Sequence, residues 1–431
     1  MRQVPLSLKI RSVVIVITIF STLILGNILP IFSLDYYANN GTNLSISQPQ
    51  YFNIGKHDEQ ISNSSKLYAD QIMVACRDES DVDHCITMAL DELDKISDRQ
   101  LVLETFLDLV RLYDENKYSC HSNGHHLGMW LYGYTANLKE AIKYATIQCG
   151  GSVYHGIFQS YFEIAQFVHN RDKSPISVTD LCPVGKENIN WLLERDCIHA
   201  IGHGLVKLYN YSTARAVDHC NEFMPIWAQS ACSRGVFMEN MEHFIETGQG
   251  DFDTNDIYSP CHGTVEKFAS QCYYYYPVYN LIRNGLTLDH NLTDAFANCD
   301  NITASKFSKY CYQGIGRLLE TIAYTFPELS IAACYIGGQA KYHNDCLLGT
   351  LKTILKGDAN TEVGFKFCSN TKLDFKASCY EIIGMWIKAF LGIEEIELES
   401  ECAKVPDVNY AVNCMNPNQT TGIDILIFEP I

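Results

Sequence analysis

Apolar positions recur along this chain at helical spacing. Leu347-Leu-Gly-Thr-Leu-Lys-Thr-Ile-Leu355 and Tyr380-Glu-Ile-Ile-Gly-Met-Trp-Ile-Lys-Ala-Phe390 are the clearest cases. Each places its apolar residues on one face of a 3.6-residue period. A different pattern occupies the N-terminus. Ser12 to Phe32 carries no charged residue and follows Arg2, Lys9 and Arg11. About 20 apolar residues span a bilayer as a helix, and a basic N-terminal flank keeps that end in the cytoplasm. Pro30-Ile-Phe-Ser-Leu-Asp35 lacks the small residues of a cleavage site, so residues 1–33 read as an uncleaved signal anchor with one transmembrane helix. Residues 34–65 are rich in Asn, Ser, Gln and Gly without apolar periodicity. They read as a flexible stalk.

The cysteines give the body a second, longer period. Consecutive pairs sit at 76/85, 182/197, 220/232, 261/272, 299/311, 334/346, 368/379 and 402/414. From Cys220 onward the spacing within a pair is eleven or twelve, and the pairs recur every 34 to 41 residues. Such a period marks stacked supersecondary units. The predicted unit is a helix ending near the first cysteine, a short connection, and a second helix beginning at the second cysteine. A disulfide would staple the two. Cys120 and Cys149 are left over and are expected to pair. Glycine stands three residues after the second cysteine in Cys232-Ser-Arg-Gly235, Cys311-Tyr-Gln-Gly314 and Cys346-Leu-Leu-Gly349. A residue without Cβ there lets a neighbouring helix come close. The fold class that follows is all-α: a disulfide-stapled, right-handed helical-hairpin solenoid of about eight to ten units. Residues 66–275 are its His-rich central repeats and 276–431 its C-terminal repeats.

Composition narrows the compartment and the partners. Of the 431 residues 47% are apolar, enough for a large core. Eighteen cysteines, an even number, point to an oxidising space outside the cytoplasm. Seven Asn-x-Ser/Thr sequons, at Asn40, Asn43, Asn63, Asn210, Asn291, Asn301 and Asn418, fit an exported glycoprotein. The formal net charge of −18 and the lack of a Lys/Arg-rich run in the body argue against nucleic acid as a partner. The Tyr273–Tyr276 run reads as helix packing.

Ten of the fourteen histidines lie between His121 and His262. His121/His125 and His199/His203 are each four apart, which puts both rings on one helix face. That spacing can grip a metal with two ligands from one helix. His155 and His199 share one register, two residues after Val153 and Cys197, so stacking lines them up. Arg234 and Gln313 occupy the same register further on. Glu239, Asn240 and Glu242 add oxygen donors nearby. Several imidazoles together resist protonation, so metal binding is favoured over acid–base work alone. The candidate ligands are His121, His125, His155, His199 and His203, with Glu239 as ligand or general base. Nitrogen-rich ligation suits zinc, copper or iron. Cys-x-x-Cys-His, HExxH, Walker, GxGxxG and GxSxG patterns are absent.

Cys197-Ile-His-Ala-Ile-Gly-His-Gly204 and Arg234-Gly-Val-Phe-Met-Glu-Asn240 resemble phrases of the type CxHGxGHG and GVFMEN. These phrases occur in exported bacterial and archaeal helical-repeat proteins of unassigned function. The resemblance covers roughly residues 118–275 and departs at Val153 and Ala200, where Cys and Gly are usual. It implies one shared site and names no reaction. By period and architecture alone the array also resembles tetratricopeptide-type solenoids. Two functions fit the sequence. One is a metal-dependent site on the central units, with the C-terminal units extending the stack. The other is a membrane-tethered surface scaffold or receptor that binds a protein or peptide.

Overall fold

The computed structural model describes residues 59–417 apart from short internal segments, of which 183–190 is the longest. The anchor at Ser12–Phe32 and most of the stalk lie outside the described residues. Among the described residues no helix is long and apolar enough to cross a membrane. Every regular element among them is helical. The order begins α1 (Glu59–Cys76), α2 (Val82–Asp94), α3 (Arg99–Asn116), α4 (Cys120–Thr135), α5 (Leu138–Lys143) and α6 (Ser152–Asp172). It continues α7 (Trp191–Leu208), α8 (Thr213–Cys220), α9 (Ile226–Thr247), α10 (Glu266–Arg283), α11 (Leu288–Asp300) and α12 (Ser305–Leu318). It ends α13 (Glu320–Thr325), α14 (Pro327–Ile336), α15 (His343–Asp358), α16 (Thr361–Asn370), α17 (Leu373–Phe390), α18 (Glu395–Cys402) and α19 (Val408–Met415).

Local chemistry sets several helix ends. Asp81 accepts the His84 amide at 3.0 Å ahead of α2, and Asn137 accepts the Glu140 amide at 3.1 Å ahead of α5. Each satisfies an orphan N–H of a first turn. Gly248 closes α9 in the left-handed region at φ 69°, where glycine carries no Cβ strain.

Two boundaries differ from the sequence reading. The stalk does not reach residue 65, because α1 already begins at Glu59. The 275/276 division falls inside α10, and the described residues belong to one compact unit. The Tyr273–Tyr276 run crosses that division, and all four rings are buried in the core.

The eight cysteine pairs from 76/85 to 402/414 are disulfides with Cα separations between 5.4 and 5.9 Å. Cys149 is also disulfide-bonded; the Cys120 side chain assigned to it lies outside the described residues. The helix-to-cysteine register is corrected. Cys197, Cys232, Cys272, Cys311, Cys379 and Cys414 each sit six residues past the first residue of their helix. In α12 the preceding turn exposes Lys306 and Lys309, so the apolar pattern becomes visible only at the cysteine. Cys182 lies in a bend and Cys261 in a single 3₁₀ turn, so neither ends an α-helix.

The hairpins build two layers. An inner row runs α4, α6, α7, α9, α10, α12, α15, α17, α19, each packed on the next. Shorter helices such as α8, α11 and α16 flank it on the outside. The row does not simply extend. α15 reaches the turn at Gln148–Gly151, and α17 touches α7. Late helices thus meet early ones.

Glycine sets the spacing within the row. A Cβ on Gly235 would lie 2.0 Å from the His199 carbonyl oxygen, and one on Gly202 would lie 2.0 Å from the Cys232 carbonyl oxygen. Backbone of α7 therefore touches backbone of α9. Gly316 and Gly349 repeat this reciprocal contact between α12 and α15.

Candidate metal centre

Close packing of α4, α6, α7 and α9 brings all five predicted histidines together. His121 and His125 come from α4, His155 from α6, and His199 and His203 from α7. Ring centroids are 5.1 Å apart for His121–His125, 4.9 Å for His125–His155, 5.1 Å for His155–His199 and 4.1 Å for His155–His203. Three groups of potential ligands arise, each with ligand atoms within 4.8 Å of one another. They are His121/His125/His155, His155/His199/His203 and His203/Glu239/Glu242.

The second ring nitrogens are held in an ordered way. His199 Nδ1 meets the Ala231 carbonyl at 3.1 Å. His203 Nδ1 meets Glu239 Oε2 at 2.9 Å, and His121 Nδ1 meets the Cys149 carbonyl at 3.0 Å. An oxygen acceptor on one nitrogen fixes the tautomer and turns the other nitrogen inward. His199 Nε2 and His203 Nε2 accordingly converge at 3.2 Å. Among the described residues, His121 Nε2 and His155 Nε2 are buried with no hydrogen-bond partner. A buried polar atom in that state is costly, and a bound ligand would relieve it.

The electrostatics favour neutral rings at His121, His125 and His155. Burial, with smaller contributions from His203 and Arg317, lowers His121 to about 4 despite the Cys149 carbonyl. Burial also holds His125 and His155 well below the ordinary histidine value, aided by the neighbouring rings. The carboxylates divide in two. Burial pushes the Glu239 carboxyl up, but His203, Lys207 and Gln159 outweigh it and hold it below its ordinary value. Glu242 is raised to about 8 by burial and by the Glu239 charge, against the pull of Arg317.

A pH dependence follows. Below about 6.5 an unfolded chain protonates His125 whereas the folded protein keeps it neutral. The unfolded state then binds more protons, so the stability from this group is full above about pH 6.5 and declines as pH falls. In metal-free protein, His125→Ala should reduce the decline by about 1 kcal/mol between about pH 6.5 and 5.5. Urea unfolding with chelator at pH 6.5 and 5.5 measures it. Equal slopes in wild type and variant would refute the neutral assignment.

Some site residues were not foreseen. Gln159 donates to Glu239 Oε2 at 2.9 Å, and Lys207 stands 3.5 Å from Glu239 Oε1. Gln159 shares the register of His203, six residues after Val153 and Cys197 respectively, so the repeat carried a signal for it. Arg317, in that register of α12, bears electrostatically on His121 and Glu242. Asn240 turns out to be structural. It is fully buried, donates to the Tyr279 hydroxyl at 3.2 Å and accepts the Asp251 amide at 3.3 Å. A surface pocket lined by Asn210, Tyr211, Ser212, His243, Gln249, Gly250 and Asp251 includes none of the five histidines.

The His121/His125/His155 and His155/His199/His203 groups could each hold a metal ion. The described disulfides suggest an oxidising location outside the cytoplasm. Comparison with protein-family models, curated proteins and solved structures finds no match to this chain.

Proposed function

We propose that this chain is an extracytoplasmic metalloprotein that holds a transition-metal ion on His155, His199 and His203. The observation that carries the reading is the convergence of three buried rings, two of which hold an oxygen acceptor on Nδ1. Glu239 serves first as the partner of His203. That carboxylate raises the basicity of the ligand and positions it. A metal-bound water beside Glu239 would supply a hydrolytic nucleophile, and a redox metal would supply oxygen chemistry.

Elemental analysis of the purified chain tests the reading. At least one equivalent of zinc, copper or iron is expected, with a lower content in His155→Ala. Metal at 1,000 times its Kd should raise stability by about 4 kcal/mol, and chelation should reverse it. No metal on isolation, and no uptake on dialysis against each ion, would return the chain to the scaffold or receptor reading.

The same proposal treats the hairpins as a right-handed repeat array and Ser12–Phe32 as its membrane tether. The motif was the uncharged stretch after three basic residues. The full chain should stay with membranes in alkaline carbonate and leave them in detergent. Release by carbonate alone would remove the tether.

A further inference from the structure

One ion on His155, His199 and His203 leaves His121 and His125 without a role. They are not peripheral. The His121, His125 and His155 rings are mutually 5.1, 5.1 and 4.9 Å apart. The other triad measures 5.1, 4.1 and 4.9 Å. These are two triangles of similar size that share a corner, and the corner is His155.

The first triangle carries its own marks of a metal site. His121 Nδ1 is occupied by the Cys149 carbonyl at 3.0 Å, the arrangement found at His199. Its Nε2 is buried with no hydrogen-bond partner among the described residues. His125 Nε2 faces His155 Nδ1 at 3.0 Å. The remaining nitrogen of His155, Nε2, makes no hydrogen bond among the described residues and is left for the second triad. The ring therefore has one nitrogen for each side.

We infer that the centre holds two transition-metal ions, one per triad, with the His155 ring bridging them through Nδ1 and Nε2. Both nitrogens can bind only if neutral His155 gives its single N–H proton to solvent on loading. The resulting imidazolate charge is offset by the two cations. The two ions are not equivalent. His121/His125/His155 is an all-imidazole set, whereas Glu239 and Glu242 lie on the His203 side alone. All-nitrogen ligation suits copper or zinc, and the carboxylate side also admits iron. This inference rests on the reading of His155, His199 and His203 as ligands for its second ion.

The test uses the full chain, stripped with chelator and dialysed against Cu(II), with metal counted per chain and electron paramagnetic resonance recorded. Two equivalents are expected, with a magnetically coupled copper signal. His121→Ala/His125→Ala should hold one equivalent with an isolated signal, and so should His199→Ala/His203→Ala. One equivalent in wild type, unchanged in His121→Ala/His125→Ala, would overturn the second ion while leaving the single-ion reading intact. Two equivalents with independent copper signals would overturn the bridge. No copper in wild type, with no zinc or iron taken up in the same dialysis, would remove both readings. The wild-type count and spectrum need no variant to fold, so the inference is decidable without them.

Discussion

Reduction of the disulfides should abolish the fold of the body at ambient temperature. The eight described bridges close loops of 9 to 15 residues. In the chain-entropy treatment each such loop contributes about 3 kcal/mol. Even if half of that is lost to strain and residual structure, the total is comparable to the whole stability of an ordinary domain, roughly 5–15 kcal/mol. The outer helices explain the dependence. α8 and α18 have eight residues each, too few to persist as isolated helices in water. Each is fixed by the bridge to its inner partner. Circular dichroism with excess reductant should show most of the helical signal lost at 25 °C. A signal and Tm unchanged after full reduction would show that packing alone holds the array.

Gly235→Ala should be strongly damaging, although it adds only a methyl to the central row. In an open helix the exchange would gain about 1 kcal/mol from propensity. Here the new Cβ would sit 2.0 Å from the His199 carbonyl oxygen. Ordinary contact needs well over an ångström more, and backbone cannot rotate away as a side chain can. α7 and α9 must separate, at a cost of about 3 kcal/mol. The same shift moves His203 relative to Glu239, so metal affinity should fall at least tenfold. Gly133→Ala is the control, because nothing lies within 4 Å of its Cβ position. Similar stability losses at both positions would show that the contact does not set the sign.

The staples and the histidine cluster were legible for different reasons. A disulfide between near neighbours in sequence leaves its mark as spacing, and all eight described pairs are those that the spacing predicts. The five histidines were legible because two intervals of four and one shared register survive stacking. Helix starts were not, since the turn before Cys311 carries Lys306 and Lys309 on an outward face. Arg317 was hidden for a deeper reason. Its place beside the centre depends on the inner row bending back, a property of many small rotations that no local pattern encodes. The C-terminal units, expected mainly to extend and stabilise the stack, also place α15 and α17 against the Gln148–Gly151 turn and α7.

That closure also dictates an order of assembly. Contacts within a hairpin span a dozen residues or so, whereas the contact of α15 with the Gln148–Gly151 turn joins segments nearly two hundred residues apart. Loops of the first kind close in well under a microsecond, and pairings of the second kind wait on the whole intervening chain. During synthesis His121 and Arg317 emerge far apart in time. The α4, α6 and α7 histidines therefore wait on the late helices, which reach the Gln148–Gly151 turn and α7 last. In that interval an ion would enter before the late helices pack against α7 and the turn.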